Sequence, residues 1–362
     1  MTDEKLAAWA LSNFDGIGPA SFVKLVAKFG SASAVFSGSE NQFSEMELTS
    51  RNLIKKILSP QDWDGCRMRF EKAMVAGALF VAYTESQYPS KLKNIPDPPP
   101  YLYYRGDLGI FEQPSLAIVG SRRPSDYGLR MAARIAGELA SAGVVIISGL
   151  AYGVDGAAHQ ATLDAGGKTA AVFGCGLDIV YPSGHRALAA RIAESGCLLS
   201  EFAKGVRPER FNFPVRNRIV AGLADGVLVV EAGEKSGALV TAGIALEQGK
   251  DILALPGSVD CALSYGPNSL IKQGAVTVTS ADDIFDNFGW YKSRAFKEPP
   301  RDLSKLSKDE LAIFHLLSVQ PVHLDEIGRK AQLGPGKTAE VLLNLELKGL
   351  IIRRPGNFVV IA

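Results

Sequence analysis

The sequence predicts a doubly wound parallel α/β domain, with a small helical domain before it and a winged helix after it. Three observations carry this prediction. Apolar runs of strand length recur from Ser115 to about residue 280, and Gly- and Ala-rich stretches of helical length separate most of them. Residues 1–62 space their apolar side chains as helices do, and residues 305–362 combine three helical patterns with a hairpin pattern.

Composition restricts the function classes. The hydrophobic fraction of 47% and the charged fraction of 21% are ordinary for a soluble globular protein of two or three domains. The net charge of +1 means that any nucleic-acid site must be a local patch. The 4 cysteines lack the spacing of a zinc site or a disulfide framework. Without a secretory signal or a long apolar run, we expect a cytoplasmic protein that does not bind membranes.

In the first domain, residues 1–62, the helical pattern is interrupted by a Gly-Ile-Gly turn at 16–18 that leads into a second helix at Pro19. A glycine turn between two helices can present backbone N–H groups to a phosphate, as helix-hairpin-helix modules do with duplex DNA. It can equally be a tight turn in a small helical bundle, which is a sterile alpha motif (SAM)-like alternative. The sequence leaves both interpretations open.

The α/β domain is expected over residues 63–290. Two strands near its start, 78–83 and 100–107, are separated by a proline-rich connector and are expected to extend one edge of the sheet. The main strands are predicted at 116–120, 144–149, 169–174, 197–201, 227–231 and 252–257, and 275–280 is a further candidate.

Beyond the sheet, residues 291–304 are polar, contain a Pro-Pro pair and are expected to form a linker. Residues 305–362 are expected to fold as three helices followed by a two-stranded wing, which is the pattern of a winged helix.

The loop after the first main strand has the residues of an anion site. In GSRRPSDYG, Gly120 lets the backbone approach a ligand, Ser121 and Ser125 offer hydroxyl groups, and Arg122 offers a forked donor suited to phosphate. The loop lacks the second and third glycines of a dinucleotide-binding motif, and no Walker loop occurs in the chain. No cofactor is therefore predicted.

The next two loops offer weaker candidates for chemistry. Asp155 and His159 could form a catalytic pair, but a helix cap plus a packed histidine is the simpler interpretation. Cys175 could be a nucleophile, but a small residue in a glycine turn is the simpler interpretation, since the sequence places no histidine beside it. The histidines show no metal-ligand spacing, so no metal site is predicted.

A basic segment, RPERFNFPVRNR at 207–218, precedes an apolar helical run at 219–223. Its arginines could follow a phosphate backbone while Phe211 and Phe213 stack on unpaired bases. Alternatively, the arginines pair within the fold and the phenylalanines belong to the core. A polar turn, GEKSG, then follows the fifth main strand at the sheet edge where open α/β sheets bind ligands.

Together these motifs resemble the DNA-processing protein A (DprA, or Smf) family. The resemblance covers roughly residues 75–290 and rests on GSRRPSDYG, SGLAYGVDGAAH, VFGCGLDIVYP and the long series from LLSEFAKGVRPERFNFPVRNRIV to ILALPG. The flanking helical and winged-helix domains also fit that family, whose sheet is an extended Rossmann-like fold. His185 is a small departure, because many members have Asn at this position.

The resemblance implies a homodimeric protein that is not an enzyme. Family members bind single-stranded DNA, protect it during natural transformation and help to load the RecA recombinase. The implied DNA-binding set in this chain is Gly120, Ser121, Arg122, Arg123, Ser125, Phe213, Arg216, Asn217, Arg218, Lys235 and Ser236.

Two alternatives compete with DNA binding. Nucleotide phosphoribohydrolases of the lysine-decarboxylase-like family share the architecture, and their motif places a glutamate three residues after a threonine. Here the residue three positions after Thr241 is Ile244, so the catalytic carboxylate is missing. A winged-helix transcription regulator would need a basic recognition helix, whereas residues 335–349 balance Lys337 and Lys348 against Glu340 and Glu346.

Overall fold

The computed structural model describes residues 3–44, 51–290, 306–317, 322–348, 350–354 and 356–361. These form two compact units, one within residues 1–296 and one within 297–362. The predicted linker at 291–304 lies outside the described residues.

The first unit is a layered α/β structure preceded by short helices. Its helices are α1 Glu4–Ser12, α2 Pro19–Phe29, α3 Ala32–Phe36, α4 Glu40–Ser44, α5 Arg51–Leu58, α6 Trp63–Ala73, α7 Ser90–Lys93, α8 Asp126–Ser141, α9 Val154–Asp164, α10 Arg186–Ser195, α11 Asn212–Leu223, α12 Gly237–Glu247, α13 Tyr265–Lys272 and α14 Ala281–Phe288. Its strands are β1 Leu79–Ala82, β2 Tyr101–Gly106, β3 Ser115–Val119, β4 Val145–Ser148, β5 Thr169–Phe173, β6 Cys197–Ser200, β7 Gly226–Val229, β8 Asp251–Ala254 and β9 Val276–Thr277.

The strands form one 9-stranded sheet in the order β1-β2-β6-β5-β4-β3-β7-β8-β9. β1 and β2 pair antiparallel with their neighbours, and all pairings from β6 to β9 are parallel. The predicted doubly wound sheet is confirmed, with the two early strands at its edge. The chain runs from β3 toward β6 on one side and then crosses back to β7 on the other, which opens a crevice beside β3.

The strands were predictable as continuous apolar runs because helices cover both faces of the sheet. In β3, Leu116 and Ile118 pack in the core beneath α8, whereas Ala117 and Val119 pack in the core beneath α11 and α12. Both layers are closed to water, so alternation between apolar and polar residues is absent and the whole strand is apolar.

The N-terminal helices pack on the antiparallel edge of this sheet. Trp9 of α1 and Tyr103 of β2 belong to one buried cluster, and the Trp9 indole nitrogen donates a hydrogen bond of 3.2 Å to the Tyr103 hydroxyl. Gly16 has a φ of +95°, and Pro19 occupies the first turn of α2 after the Gly18 cap. The Gly-Ile-Gly turn therefore connects two helices as predicted, and its contact with duplex DNA stays a prediction.

The second unit has the winged-helix order α15 Lys308–Leu316, β10 Val322–His323, α16 Leu324–Ala331, α17 Pro335–Leu347, β11 Ile351–Arg354 and β12 Phe358–Ile361. Ser307 and Glu310 form a capping box at the start of α15, and Ile313, Leu342 and Leu345 lie in the core. The predicted hairpin is present, and the short β10 extends it to a 3-stranded sheet that the sequence pattern did not indicate.

Within the described residues, no helix combines the length and the apolar character that a membrane span requires.

Candidate nucleic-acid interface

The candidate site is a crevice at the carboxyl ends of β3 and β4, which we call the switch-point cleft. Its walls are the loop after β3, the loop after β4, the first half of α11 and the start of α12. Arg122, Gly149, Phe213, Arg216, Asn217 and Gly237 are among the residues that line it. Loops from distant parts of the sequence meet here because the crossovers diverge on either side of β3.

The loop after β3 folds tightly against the start of α9. A β-carbon on Gly120 would lie 2.6 Å from Val154, and one on Gly153, at φ +80°, would lie 2.4 Å from the Ser121 carbonyl oxygen. The Val154 amide donates to that same oxygen at 3.2 Å. Glycine at both positions therefore lets the loop that carries Arg122 lie flat on the end of the sheet.

Arg216 lies at the bottom of the cleft, and only 5% of it is exposed. Its Nη1 donates to the carbonyl oxygens of Gly149, at 2.7 Å, and Val172, and its Nε donates to the Asn217 Oδ1 at 3.1 Å. Among the described residues no acceptor bonds to Nη2, so its two N–H donors remain for a ligand. Burial lowers the pKa of Arg216 to about 10 and Asp155 opposes this shift, so the guanidinium stays charged at neutral pH.

Asp155 organises the loop after β4 rather than capping a helix. Its carboxylate accepts hydrogen bonds of 3.2 Å from the backbone amides of Gly149 and Ala151, on either side of Leu150, whose φ is +59°. α9 begins at Val154, its cap is Gly153, and Asp155 makes no cap. The predicted cap was thus wrong, because the carboxylate turns back to this strained loop. Burial raises the pKa of Asp155, and the nearby Arg216 opposes that change.

Arg122 is exposed at the mouth of the cleft, above the ring of Phe213. The Arg122 Cζ lies 5.2 Å from the ring centroid, and the Arg216 Cζ lies 5.8 Å from the same centroid. Among the residues described, no carboxylate forms an ion pair with Arg122. One buried and one exposed guanidinium therefore lie within 6 Å of the centre of a single aromatic ring, so the cleft brings positive charge and an aromatic side chain together.

Arg218 does not lie in this cleft. Its guanidinium is paired with Glu201 and Asp97: Nη2 contacts Glu201, Nη1 donates to the Asp97 carbonyl oxygen, and Nε lies 3.4 Å from the Asp97 Oδ2. Only 7% of Arg218 is exposed. The position follows from helix geometry, because residues two apart on a helix point to nearly opposite sides. Arg218 thus holds elements of the fold together.

The start of α11 explains why the sequence suggested a shared role for the two arginines. The helix begins at Asn212, well before the apolar helical run predicted at 219–223, and it includes the arginines of the basic segment. The Asn212 side-chain amide donates to the carbonyl oxygens of Gly174, at 3.0 Å, and Arg207, at 3.1 Å. Had the predicted helix been extended back to include Arg216, its periodicity would have separated Arg216 from Arg218.

The other predicted site residues lie in two places, the loop after β3 and the turn before α12. Ser125 is occupied in the fold, because its Oγ accepts from the Gly128 amide while its amide donates to Glu231 at 2.8 Å. Arg123 is exposed, and its amide donates to the Ser121 Oγ at 3.0 Å. In the turn before α12, Lys235 is exposed and Ser236 caps the helix, whose first residue, Gly237, lines the cleft.

The sequence reasoning missed Gly149 and Val172, whose carbonyl oxygens hold Arg216. Nothing in the residue types marks a carbonyl as an anchor. Only an indirect argument was available from the sequence. An arginine that is buried on α11 must find hydrogen-bond acceptors, and the ends of the neighbouring strands provide them.

The candidate catalytic groups are committed to the fold. His159 is buried, and its Nδ1 lies 2.7 Å from the Thr169 Oγ1, which itself donates to the Ile146 carbonyl oxygen. The interpretation as a packed histidine is confirmed. Burial raises the pKa of Cys175 to about 11, and its Sγ donates to the Ile179 carbonyl oxygen at 3.1 Å, so the thiol is poorly suited to nucleophilic attack.

The structure also bears on the competing functions. Ile244 belongs to α12 and packs against the core between this helix and the sheet. A phosphoribohydrolase would need a carboxylate at this position. In the winged helix, Lys337 pairs with Glu340 at 3.0 Å and Lys348 with Glu310 at 2.7 Å, so these cations are compensated. In the part of the chain that the structure describes, no group of three or more acidic, cysteine or histidine side chains could hold a metal ion.

Comparison with known proteins points to one family over both units. Residues 79–289 match the family described as DNA recombination-mediator protein A, and residues 297–357 match the DprA winged helix domain. The chain is 34% identical to Protein Smf of Synechocystis sp., with 98% of each chain covered.

Comparison with solved structures points to the same family. The X-ray structure of DNA processing protein A from Streptococcus pneumoniae superimposes with a TM-score of 0.58 at 35% identity, covering 75% of this chain and 98% of that one. A second structure, of the Helicobacter pylori protein, superimposes with a TM-score of 0.53 at 32% identity, covering 58% of this chain and 95% of that one. Its description concerns the single-stranded DNA binding mode of that protein.

Proposed function

The chain belongs to the DNA recombination-mediator protein A family, and we propose that it binds single-stranded DNA in the switch-point cleft. The observation that carries the proposal is the pairing of Arg122 and Arg216 around Phe213. Two cations can contact successive phosphates, and an aromatic ring beside them is typical of sites that bind unpaired nucleic acid. The structure of the Helicobacter pylori relative is described in terms of its single-stranded DNA binding mode, which supports the proposal.

The cleft has the chemistry of a binding site rather than of an active site. Arg216 is charged and anchored, Arg122 is exposed, and the buried carboxylate of Asp155 is occupied by two backbone amides. The carboxylate that a phosphoribohydrolase would require is replaced by Ile244. We therefore assign the protein no catalytic step.

The wider role rests on family membership. The protein protects incoming single strands during natural transformation and recombination, loads the RecA recombinase onto them, and acts as a homodimer. A cytoplasmic location is part of the same proposal, because the proposed partners are found there. No cofactor is assigned to it.

The proposal is tested by the salt dependence of oligo-dT binding. Each phosphate contact on a single strand contributes about −0.7 to the slope of log affinity against log salt concentration. The Arg122→Ala variant should therefore bind more weakly at low salt, and the difference should narrow as salt rises, because its slope is flatter by about 0.7. Arg122 is exposed and outside any ion pair among the described residues, so its removal should leave the melting temperature unchanged.

A matched control is Arg191→Ala, which removes an arginine paired at 2.8 Å with the exposed Asp164, outside the cleft. It should preserve both slope and affinity. An Arg122→Ala variant that is folded and keeps the wild-type slope would refute the proposed site, and wild-type protein that fails to bind oligo-dT would refute the function itself.

A further inference from the structure

The floor of the switch-point cleft contains one buried group of each charge. Asp155 and Arg216 both line the cleft and are 7% and 5% exposed. Within the described part of the chain they form no direct ion pair, because the Gly149 peptide lies between them. The Gly149 amide donates to the Asp155 Oδ2 at 3.2 Å, and the Gly149 carbonyl oxygen accepts from the Arg216 Nη1 at 2.7 Å. The two charges are therefore close together and held apart by one residue.

The close approach depends on glycine at position 149. A β-carbon there would lie 2.3 Å from the Arg216 Nη1. The buried guanidinium therefore packs directly on the backbone that Asp155 holds, and the carboxylate remains near any anion that contacts this arginine.

The surroundings of Asp155 suit a protonated carboxyl group as well as a carboxylate. Both backbone amides donate to Oδ2, so the other oxygen, Oδ1, can take up a proton without breaking either hydrogen bond. The Ser148 hydroxyl also lies within hydrogen-bonding reach of this side chain, but it donates its hydrogen to the Ile118 carbonyl oxygen at 2.7 Å. Toward Asp155 the hydroxyl oxygen can therefore act as an acceptor, which favours the protonated form.

The charge balance at Asp155 must change when an anion enters the cleft. Burial raises the pKa of Asp155, and the positive charge of Arg216 opposes that rise. A phosphate on Arg216 neutralises the charge that opposes the rise and adds a like charge near the carboxylate. Both effects favour the uptake of a proton, and they are strong because charges interact more strongly in a buried site than in water.

Most ionisable groups around Asp155 keep one charge state between about pH 5 and about pH 8. Burial lowers the pKa of His159 to about 3, so this imidazole stays neutral. Burial raises the pKa of Cys175 to about 11, so this thiol keeps its proton. Arg216, whose pKa burial lowers to about 10, and Arg122 both stay charged.

His185 is different, because a histidine can change its charge in this pH range. Its Nδ1 donates to the Leu150 carbonyl oxygen at 2.9 Å, in the same loop that Asp155 holds. The paired charges on α8 and α10, which also pack against α9, are exposed: they are Arg134 with Glu138, and Arg191 with Asp164 at the other end of α9. The experiment must therefore separate Asp155 from His185.

We propose that the binding of a strand phosphate at Arg216 is coupled to the uptake of one proton from solvent by Asp155. The proton binds to Oδ1, the carboxyl group becomes neutral, and the charge of Arg216 is then balanced by the phosphate alone. This inference rests on the proposed function, because it requires an anion at Arg216.

The coupling fixes the sign of the pH dependence. Because the pKa of Asp155 is higher in the complex than in the free protein, affinity for the strand rises as the pH falls from the first pKa toward the second. Above and below that interval, Asp155 has the same charge in both states and the affinity is constant. Asp155 therefore weakens strand binding at higher pH.

The first test counts protons in the full-length wild-type protein. Oligo-dT is the probe, because thymine has no group that titrates between about pH 5 and about pH 8. Isothermal titration calorimetry in two buffers of different ionisation enthalpy should show proton uptake that approaches one proton per site at its maximum. At constant salt, the affinity should rise about tenfold as the pH falls from about 8 to about 5.5.

The second test assigns the proton. Asp155→Asn keeps a side-chain oxygen that can accept from both amides but removes the charge. It should bind oligo-dT about tenfold more tightly than the wild type at about pH 8, without the proton uptake. A purely structural role for Asp155 predicts weaker binding with the wild-type pH profile. His185→Gln keeps a donor for the Leu150 carbonyl oxygen and should keep the proton uptake.

Each result decides the proposal. Wild-type protein that binds oligo-dT without taking up protons overturns the coupling and leaves phosphate binding intact, and this measurement requires no variant. Proton uptake that persists in Asp155→Asn, or that disappears in His185→Gln, also overturns it. Wild-type protein that does not bind oligo-dT at any pH overturns the proposed function together with the coupling.

Discussion

Arg216 and Arg218 are separated by one residue on α11, and both guanidinium groups are buried, yet their surroundings differ completely. Arg216 donates to backbone carbonyl oxygens at the cleft, where its partners carry no formal charge. Arg218 is paired with the carboxylates of Glu201 and Asp97. The first arginine keeps its charge available for an anion, and the second has its charge neutralised within the fold.

At the residue scale, Arg218→Ala should destabilise the protein by about 3 kcal/mol, because it leaves Glu201 buried without its partner. Equilibrium urea unfolding monitored by circular dichroism measures this loss. Arg191→Ala, which breaks an exposed pair, should cost less than about 1 kcal/mol. If the two variants were equally stable, Arg218 would have no structural role.

The loss caused by Arg218→Ala should also depend on pH. Burial raises the pKa of Glu201, and Arg218 opposes that rise, so the variant should have an even higher pKa at Glu201. A carboxyl group that binds its proton more tightly in the folded chain favours folding at low pH and loses that contribution as the pH rises through its folded pKa. The stability difference between variant and wild type should therefore shrink as the pH falls from about 8 to about 5. A difference that stays constant would contradict the assignment to Glu201.

Ile244 leads to a second prediction at this scale. With a hydrocarbon side chain where hydrolysis would need a carboxylate, and with Thr241 buried beside it on α12, nucleotides should not be cleaved. Incubation with nucleoside monophosphates or ATP, followed by chromatography, should release no base or phosphate above the protein-free control. Turnover that scales with protein concentration would contradict this expectation.

At the scale of elements, the site depends on two loops that pack against each other. Gly153→Ala places a β-carbon 2.4 Å from the Ser121 carbonyl oxygen, so the loop that carries Arg122 must shift. We expect a loss of about 1–3 kcal/mol, because a side chain is forced onto a positive φ that only glycine adopts readily, and a clear loss of oligo-dT affinity. Thermal unfolding and the same binding assay measure the two effects.

Gly143→Ala is the matched control for this change. Gly143 has a φ of +87°, and a β-carbon there meets nothing within 4 Å. It also forces a side chain onto a positive φ, but it should leave oligo-dT affinity unchanged. Equal affinity in the two variants would show that the contact between the loops does not position Arg122.

The elements were predictable to different degrees from the sequence. The main strands were located to within a few residues, because a strand covered on both faces must be apolar throughout. The start of α11 was not, since its first turn contains Pro214 and depends on contacts made by the Asn212 side chain. The loop after β4 was the least predictable, because the left-handed Leu150 and the turned-back Asp155 belong to tertiary structure.

At the scale of the whole molecule, the charges that bind DNA are predicted to lie in the first unit alone. In the winged helix, Arg353 lies 3.1 Å from Glu346, and the two lysines of α17 and its C-terminal end are also paired. A variant truncated after residue 290 should thus keep its oligo-dT affinity within a few-fold of full length. A hundredfold loss in a truncated protein that melts cooperatively would move the binding site to the second unit.

The anchoring of Arg216 by the ends of β4 and β5 has a consequence for the entropy of association. Ordering an arginine side chain costs up to about 2 kcal/mol in lost rotamer freedom. Arg216 incurs that cost when the chain folds, because two strands already hold its Nη1. Arg122, which is exposed, incurs it only when a strand arrives. The proposed site is therefore half preorganised: Arg216 would contribute affinity without any ordering on binding, and Arg122 would adjust to the irregular backbone of a flexible strand.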